Sequence, residues 1–453
     1  MIEYSYCKIF NEYFRGTKMK TKIKKIYIDG YRNLSNVSMD LHDITAIVAL
    51  NSYGKSNLLK AIKLGIDFIK GNPDTKKSIF EHREAFPLLK VNSGQNYTFG
   101  INATMTDEND TPYNVDYTFS FRWDTNETEG TIVFEKLDIS SPDISGGNFI
   151  IRNPNSHIYN YRASFKTRNK RNIIIKDSCV LAINILPNIV EGDTYTQILE
   201  ELNNIRFMIE DHLDANESYN FDSVKYADKS VINIPAVIWN MKEQYSSYYE
   251  LLINGFKQLF PNITDVICNE HAVHYINESS IPADSKLLFN DNIYTLSVTD
   301  SSLVQPISFS NLSDGTKRVF LTLTTAVNAN INHLSAIALE EPENSIHPKL
   351  LQNYISILDI LSGDCKLIFT SHSPHILEYI DPDDIIIGLP SETGQADFRY
   401  IINKKALIND SYKEKCSTGD FIFNTLSFEN AADMLSKYVS KSVISKSDFN
   451  REE

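Results

Sequence analysis

Two short stretches carry residue types that do phosphate chemistry. Ala49-Leu50-Asn51-Ser52-Tyr53-Gly54-Lys55-Ser56 departs at one position from the pattern Gly-x-x-x-x-Gly-Lys-(Ser/Thr). In that pattern a glycine lets backbone amides face a phosphate, and a lysine reaches the β- and γ-oxygens. A hydroxyl ligates magnesium, and the following helix adds the positive end of its dipole. Gly54, Lys55 and Ser56 take these positions, flanked by Asn51, Ser52, Tyr53 and Asn57. Ala49 occupies the first glycine position, where a methyl group is expected to tighten the loop or constrain its backbone. The second stretch, Glu340–Glu341, ends the apolar run Ala336–Leu339. Paired carboxylates there can hold magnesium through a water and orient a hydrolytic water; a helix-capping acid cluster is the plainer reading.

Two further features have the same double character. His372 follows the apolar run Leu367–Phe369 in Thr370-Ser371-His372-Ser373-Pro374. A neutral imidazole there could donate to a γ-phosphate oxygen, whereas a lone histidine can equally be structural. Asn311-Leu312-Ser313-Asp314-Gly315-Thr316 precedes a helical pattern. It reads either as an N-cap with a turn glycine or as a second anion-binding helix N-terminus carrying the Ser313 hydroxyl.

The elements that must position these residues follow from periodicity. Ile23–Asp29 alternates as a strand, and Ile44–Leu50 is a continuous apolar run that leads into the loop. Leu58, Leu59, Ile62 and Ile66 recur at helical spacing behind it, over about 56–70. Aromatic and polar residues alternate from Tyr97 to Leu137, with turn clusters at Asp107–Thr111 and Asp124–Glu129, as in an antiparallel meander. Residues of about 186–260 read as helical, in Tyr195–Leu213 and Ile238–Phe260. A short β segment spans about 263–309, a helix about 315–330, and another helix follows Pro348. The tail after about Asn403 is polar, with a helical pattern around Glu429–Tyr438. Alternating apolar strands and helices predict an α/β fold with parallel strands covered by helices. Carboxyl ends of such strands are where ligands bind.

Composition narrows the class. The 453 residues suggest two or three structural units. No run of 18 apolar residues exists, so no membrane helix is expected. The five cysteines are scattered, without CxxC or zinc spacing, which fits reduced thiols and a cytoplasmic location. A net charge of −14 argues against general polyanion binding. Against it stand two basic runs: Lys18, Lys20, Lys22, Lys24 and Lys25, and Arg162, Lys166, Arg168, Lys170 and Arg171. Each is either a solvated face or a phosphate-backbone contact, including possible DNA contact through the second run. Met19 is a candidate start, with Met1–Lys18 a short extension.

In this order, phosphate loop, Ser-Asp-Gly, acidic strand end and histidine resemble the ABC-type ATPase heads of the SMC, Rad50 and RecF group. They resemble more closely the AAA-15/AAA-21 ATPases of bacterial anti-phage defence. Leu312-Ser313-Asp314-Gly315-Thr316-Lys317-Arg318 is similar to that group's signature, and Leu339-Glu340-Glu341-Pro342-Glu343-Asn344-Ser345-Ile346-His347-Pro348 to its Walker B segment. Ile28-Asp29-Gly30-Tyr31-Arg32-Asn33-Leu34 resembles its first strand and nucleotide-side arginine, Arg32. The resemblance implies ATP and magnesium as ligands. Lys55 and Ser56 would bind phosphate and metal, Glu340 would be the metal-side acid, Glu341 the base or water-positioning residue, and His372 the γ-phosphate sensor. It implies a homodimer or higher oligomer in which ATP lies between one protomer's loop and the other's Ser313, Asp314 and Gly315. Gln95 is a weak candidate for the group's Q-loop glutamine.

The resemblance orders the chain as an extension over 1–21, an N-terminal lobe over 22–185, a helical insertion over 186–262, a C-terminal lobe over 263–402 and a helical tail over 403–453. About 65 residues follow the last motif strand, Asp384–Leu389, too few for a Toprim domain. The expectation is therefore an ATPase subunit of a two-component anti-phage system with a separate nuclease, HNH-type as in the Septu architecture or Toprim as in PARIS. The alternatives are an ATP-sensing scaffold with little turnover and a RecF- or Rad50-like DNA-repair ATPase.

Overall fold

The computed structural model describes residues 19–51, 53–81, 94–123, 130–142, 144–153, 156–210, 234–272, 292–389, 391 and 393–440. Ser52, Met1–Lys18, the turn cluster expected at Asp124–Glu129 and residues 441–453 lie outside them. The chain divides into two compact units. Among the described residues the larger comprises 19–209, His333–Glu341 and 364–440; the smaller comprises those of Glu210–Asn332 and Pro342–Gly363.

The larger unit holds strands β1 (Lys20–Asp29), β2 (Val37–Asp40) and β3 (Ile44–Val48), then helices α1 (Lys55–Lys70) and α2 (Pro73–Glu81). The meander follows as β4 (Tyr97–Thr106), β5 (Pro112–Trp123), β6 (Gly130–Ser141), β7 (Ile144–Arg152), β8 (Ile158–Arg162) and β9 (Lys170–Ile174). Helices α3 (Ala182–Ile185) and α4 (Asp193–Asn203) lead to β10 (Phe207–Glu210). The smaller unit contributes α5 (Ile234–Gln244), α6 (Ser246–Leu259), a sheet of β11 (Ile263–Ala272), β12 (Asn292–Asp300) and β13 (Ile307–Ser308), and α7 (Asp314–Ile331). The chain then supplies β14 (Ala336–Glu340), α8 (Leu351–Ser362, in the smaller unit), β15 (Lys366–Ser371), β16 (Ile385–Leu389) and β17 (Asp397–Tyr400). Helices α9 (Lys404–Lys413), α10 (Thr418–Leu426) and α11 (Ala431–Leu435) close the described chain.

The α/β expectation holds. A six-stranded sheet runs β10-β14-β15-β3-β16-β17, and an eight-stranded sheet runs β2-β1-β4-β5-β6-β7-β8-β9. Strands β14, β15, β3 and β16 pair as parallel neighbours, and β17 runs antiparallel to β16. The strand before the phosphate loop is thus central, because Ile44–Val48 is apolar enough to be buried on both faces. The meander is antiparallel throughout. Its alternation buries Tyr97, Phe99, Phe119 and Phe121, against which Phe68 of α1 stacks at 5.2 Å (Phe119) and 4.7 Å (Phe121). A fully buried side chain of this size contributes about 1.5–3 kcal/mol. This contact holds the helix that carries Lys55.

Three local expectations change. The pattern over Tyr195–Leu213 ends as helix at Asn203, and Phe207–Glu210 is a strand beside β14, tied to it by Ser335 N–H donating to the Arg206 carbonyl at 2.8 Å. Sheet pairing overrides local propensity in so short a run. The pattern over Ile238–Phe260 is two helices that break at Tyr245, which leaves helical geometry at φ −136°. The polar tail forms helices α9 and α10 ahead of the expected helical patch, which itself shortens to Ala431–Leu435.

One buried carboxylate stabilises the meander. Glu135, fully buried on β6, accepts from Tyr117 Oη at 3.1 Å and from the N–H groups of Ala182 and Ile183 at 2.8 and 3.1 Å, capping α3. Burial pushes its carboxyl up to about 7, against the pull of those donors and of Lys76. A folded value above the unfolded one means the native state binds the extra proton. Stability from this group is therefore full below about 4.5 and declines as pH rises to about 7. We predict that Glu135→Ala lowers stability by about 2–4 kcal/mol. The thermal-melting difference between wild type and Glu135→Gln should shift in favour of the glutamine variant between pH 4.5 and 7; a difference independent of pH contradicts this.

Candidate functional site

The site forms where the parallel strands end. β3 runs into Ala49, and α1 begins at Lys55, with Gly54 at its N-cap in the left-handed region at φ 97°. A Cβ on Gly54 would stand 2.8 Å from the Ala396 Cβ and 3.2 Å from Asn33 Nδ2, so both conformation and space demand glycine there. Lys55 is buried, at 6% exposure. Its ammonium donates to the carbonyls of Ala49 (2.6 Å) and Leu50 (3.2 Å) and lies 3.2 Å from His372 Nδ1.

An ammonium has donors and no acceptor, so the contact favours a lone pair on Nδ1. Nε2 lies 3.2 Å from Glu341 Oε1, and the Ala49 carbonyl is a further acceptor for the ring. Burial and the Lys55 charge lower the His372 pKa from its ordinary value; Glu341, the Ala49 carbonyl and Glu340 pull the other way. The imidazole is thus predominantly neutral at pH 7. Lysine, imidazole and carboxylate form a continuous chain across the ends of β3, β15 and β14.

Glu341 is placed by its backbone. It lies at φ 47°, and its N–H donates to the Thr370 carbonyl at 2.8 Å. Glu340 stays in register beside Thr370, half-buried. Arg32, also at φ 47°, donates to Asn57 Oδ1 at 3.1 Å, and Asn57 donates to Asn33 Oδ1 at 2.8 Å. This fastens the turn after β1 to the first turn of α1. Ser56 is exposed at the start of α1, Tyr53 half-buried and Asn51 exposed. Gln95 is half-buried just before β4, and the carbonyl of the next residue, Asn96, closes on Gly30.

Ser313, Asp314 and Gly315 lie in the smaller unit at the start of α7. The Ser313 hydroxyl accepts from Thr316 N–H at 3.1 Å, and Asp314 pairs with Lys317 at 2.8 Å. The N-cap reading is therefore realised, with Ser313 and Asp314 exposed and Gly315 half-buried. Of the basic runs, Lys22 and Lys25 pair with Asp364 and Asp40. Arg162 lies 4.6 Å over the Phe149 ring, and Arg171 pairs with Glu191 at 3.3 Å. Lys166, Arg168, Lys170 and Arg171 are exposed on and before β9, an edge strand.

Sequence reasoning missed Asn33, Ala396 and Gly388. Gly388 on β16 faces Ala49: a Cβ there would be 2.7 Å from the Ala49 methyl. Ala49 is fully buried and does not have a positive φ. The missing glycine of the phosphate loop thus has a compensating glycine on the neighbouring strand.

Fold and site together define a phosphate-loop α/β domain. A family profile described as "AAA domain, putative AbiEii toxin, Type IV TA system" (AAA_21) matches residues 44–378. The chain belongs to the AAA_21 family. No curated protein sequence matches it. Similar solved structures include an SMC head bound to the C-winged helix domain of ScpA (11% identity, 85% of this chain and 99% of that chain, TM-score 0.45). Another is an SMC head domain from Thermotoga maritima (12%, 84% and 99%, TM-score 0.39). A third is the recombination mediator protein RecF-ATPrS in the RecFOR pathway (14%, 84% and 98%, TM-score 0.37). Among the described residues no helix is long and apolar enough to cross a membrane.

The Ala49–Gly388 contact is testable. Gly388→Ala should destabilise the protein by about 1–3 kcal/mol through overpacking. Ala49→Gly in the same chain should restore most of that loss in a thermal melt; additive losses would contradict the pairing.

Proposed function

We propose that this chain binds and hydrolyses ATP as a head-to-head dimer and thereby controls a separate effector nuclease in a two-component anti-phage system. The observation that carries the ATPase reading is the contact chain Lys55, His372, Glu341, spread over three strand ends of one parallel sheet. Asn51 to Asn57 cradle the phosphates, with Gly54 giving the backbone room and Lys55 the β/γ charge partner. Arg32 and Asn57 flank that cradle. The Ser56 hydroxyl and Glu340 carboxylate are hard oxygen donors suited to magnesium. When bound, the ion would neutralise charge on the β- and γ-oxygens. Glu341 accepts a proton from, or orients, the attacking water, and His372 contacts Glu341 through Nε2. Ser313, Asp314 and Gly315 complete the partner protomer's site, which is why an exposed N-terminus of α7 fits a dimer.

The nuclease partner is read from family architecture, Septu first and PARIS next, and finding a nuclease gene beside this one would support it. Phosphate release and mass measurement test the ATPase itself. Lys55→Ala should lose ATP binding. Glu341→Gln should keep binding, lower turnover by about 10²–10⁴-fold and accumulate as the ATP-bound dimer. Wild type and Glu341→Gln with the same background rate would leave an ATP-sensing scaffold instead.

The exposed cations on and before β9 support a second, compatible reading as a duplex-backbone contact. Binding should then fall with salt and be lost in Arg168→Glu/Lys170→Glu; salt-insensitive binding in that variant rejects it.

A further inference from the structure

The loop that carries His372 does not stand on the sheet alone. After Ser371, the chain passes through His372 and Ser373 into the 3-10 turn Pro374–Glu378, whose Ile376 and Leu377 are buried. Helix α10, about 45 residues further on, packs on that turn. Its buried face is Gly419, Ile422, Thr425 and Leu426. The closest approach is at Gly419, where a Cβ would stand 2.0 Å from the Pro374 carbonyl oxygen and 2.8 Å from its carbonyl carbon. Both of those atoms are backbone, so no side-chain rotation relieves them. Gly419 is not in a left-handed conformation, and alanine suits a helix. Its glycine is therefore explained by contact with Pro374, not by local backbone need.

The helix is itself anchored. Ser417 caps it by accepting from Asp420 N–H at 3.0 Å. The tail around it is tied to the edge of the six-stranded sheet: Ser440 N–H donates to the Tyr400 carbonyl, and Ile402 and Asn403 N–H donate to the Tyr438 carbonyl. Asp410 gathers Lys413, Lys437 and Tyr438. Leu407, Ile422, Ala431 and Leu435 are fully buried. A fastened helix bears on the residue two positions after the histidine.

We propose that Gly419 is a positioning residue for His372: α10 sets the height of the Pro374 carbonyl and through it the placement of the imidazole between Lys55 and Glu341. The γ-phosphate sensor is then coupled to the tail helices, and displacement of α10 loosens it. The inference rests on the proposed ATPase reading for its functional consequence, but not for its geometry.

The test is Gly419→Ala in the full chain, read two ways. With histidine ring carbons labelled and His372 assigned by His372→Gln, the His372 titration should move from its lowered wild-type position toward that of an ordinary imidazole. That would report separation from Lys55 and from its buried setting, while the histidine resonances outside the Pro374–Glu378 turn, which holds His375, stay in place. A folded Gly419→Ala protein whose His372 titrates as in wild type overturns the proposal, whether or not the wild type hydrolyses ATP. In a wild type that does turn over, kcat should fall about 10–100-fold, the order expected of a displacement near 1 Å, with KM for ATP within about twofold. The substitution should add nothing in a His372→Ala background; an equal loss there also overturns the proposal. Should Gly419→Ala not fold, Ile422→Val loosens the same face and is read against the same outcomes. Absence of wild-type turnover would reject the ATPase reading alone.

Discussion

A buried ammonium is the interaction on which the site depends. Lys55 is nearly inaccessible, and a charge so placed is tolerable only when its hydrogens are satisfied. Two are met by the carbonyls that end β3, and the third points at a neutral imidazole. Each partner imposes a structural condition. The carbonyls require the chain to curl back on itself before α1, which Gly54 permits at φ 97°. The imidazole requires β15 to lie beside β3, which parallel pairing from Ile44↔Leu367 to Val48↔Ser371 provides. Lys55 faces Nδ1 of the histidine, whose Nε2 lies 3.2 Å from Glu341 Oε1. One lysine thereby heads a chain of contacts that reaches the ends of two other strands.

Much of this was legible from residue order. The loop, the acidic strand end and the histidine each sat where an apolar run stopped, and such ends gather along one edge of a parallel sheet. Their contacts were not legible, because Lys55 and His372 are 317 residues apart and the strand order β14-β15-β3-β16 is a property of packing. The compensation of Ala49 was hidden for the same reason: Gly388 reads as an ordinary strand glycine until β16 is placed beside β3. The strand Phe207–Glu210 was missed because four residues carry no usable period. Within the helical tail expected over 403–453, α9 was not marked out as a separate helix because it buries little beyond Leu407 and Ser411.

Ala49 shows how a departure from a motif should be weighed. In the pattern its position is glycine for closeness and flexibility. Here its φ is not positive, so flexibility is not what the position needs. Closeness is supplied by deleting the opposing Cβ on β16. The deviation is therefore a relocation of the glycine across a strand pair.

The two adjacent glutamates are not equivalent, and backbone strain is what separates them. Continued as a strand, Glu340 and Glu341 would point to opposite faces of the sheet. The strand stops at Glu340, and Glu341 takes φ 47°, an uncommon conformation for a glutamate that costs on the order of 1–3 kcal/mol. Its N–H bond to the Thr370 carbonyl holds that geometry from the side of β15. Pro342 follows, and proline disfavours a right-handed helical conformation at the residue before it, so the chain cannot relax into the commonest alternative. The cost turns the carboxylate out of the alternation and brings it to the imidazole at 3.2 Å, while Glu340 keeps its strand register. Arg32 has the same φ on the other side of the loop, where it reaches Asn57. Strain held on both flanks of a phosphate loop, each time by a hydrogen bond to a neighbouring element, is what a preorganised site requires: the side chains are aimed before a substrate arrives, and folding rather than binding bears the cost of aiming them.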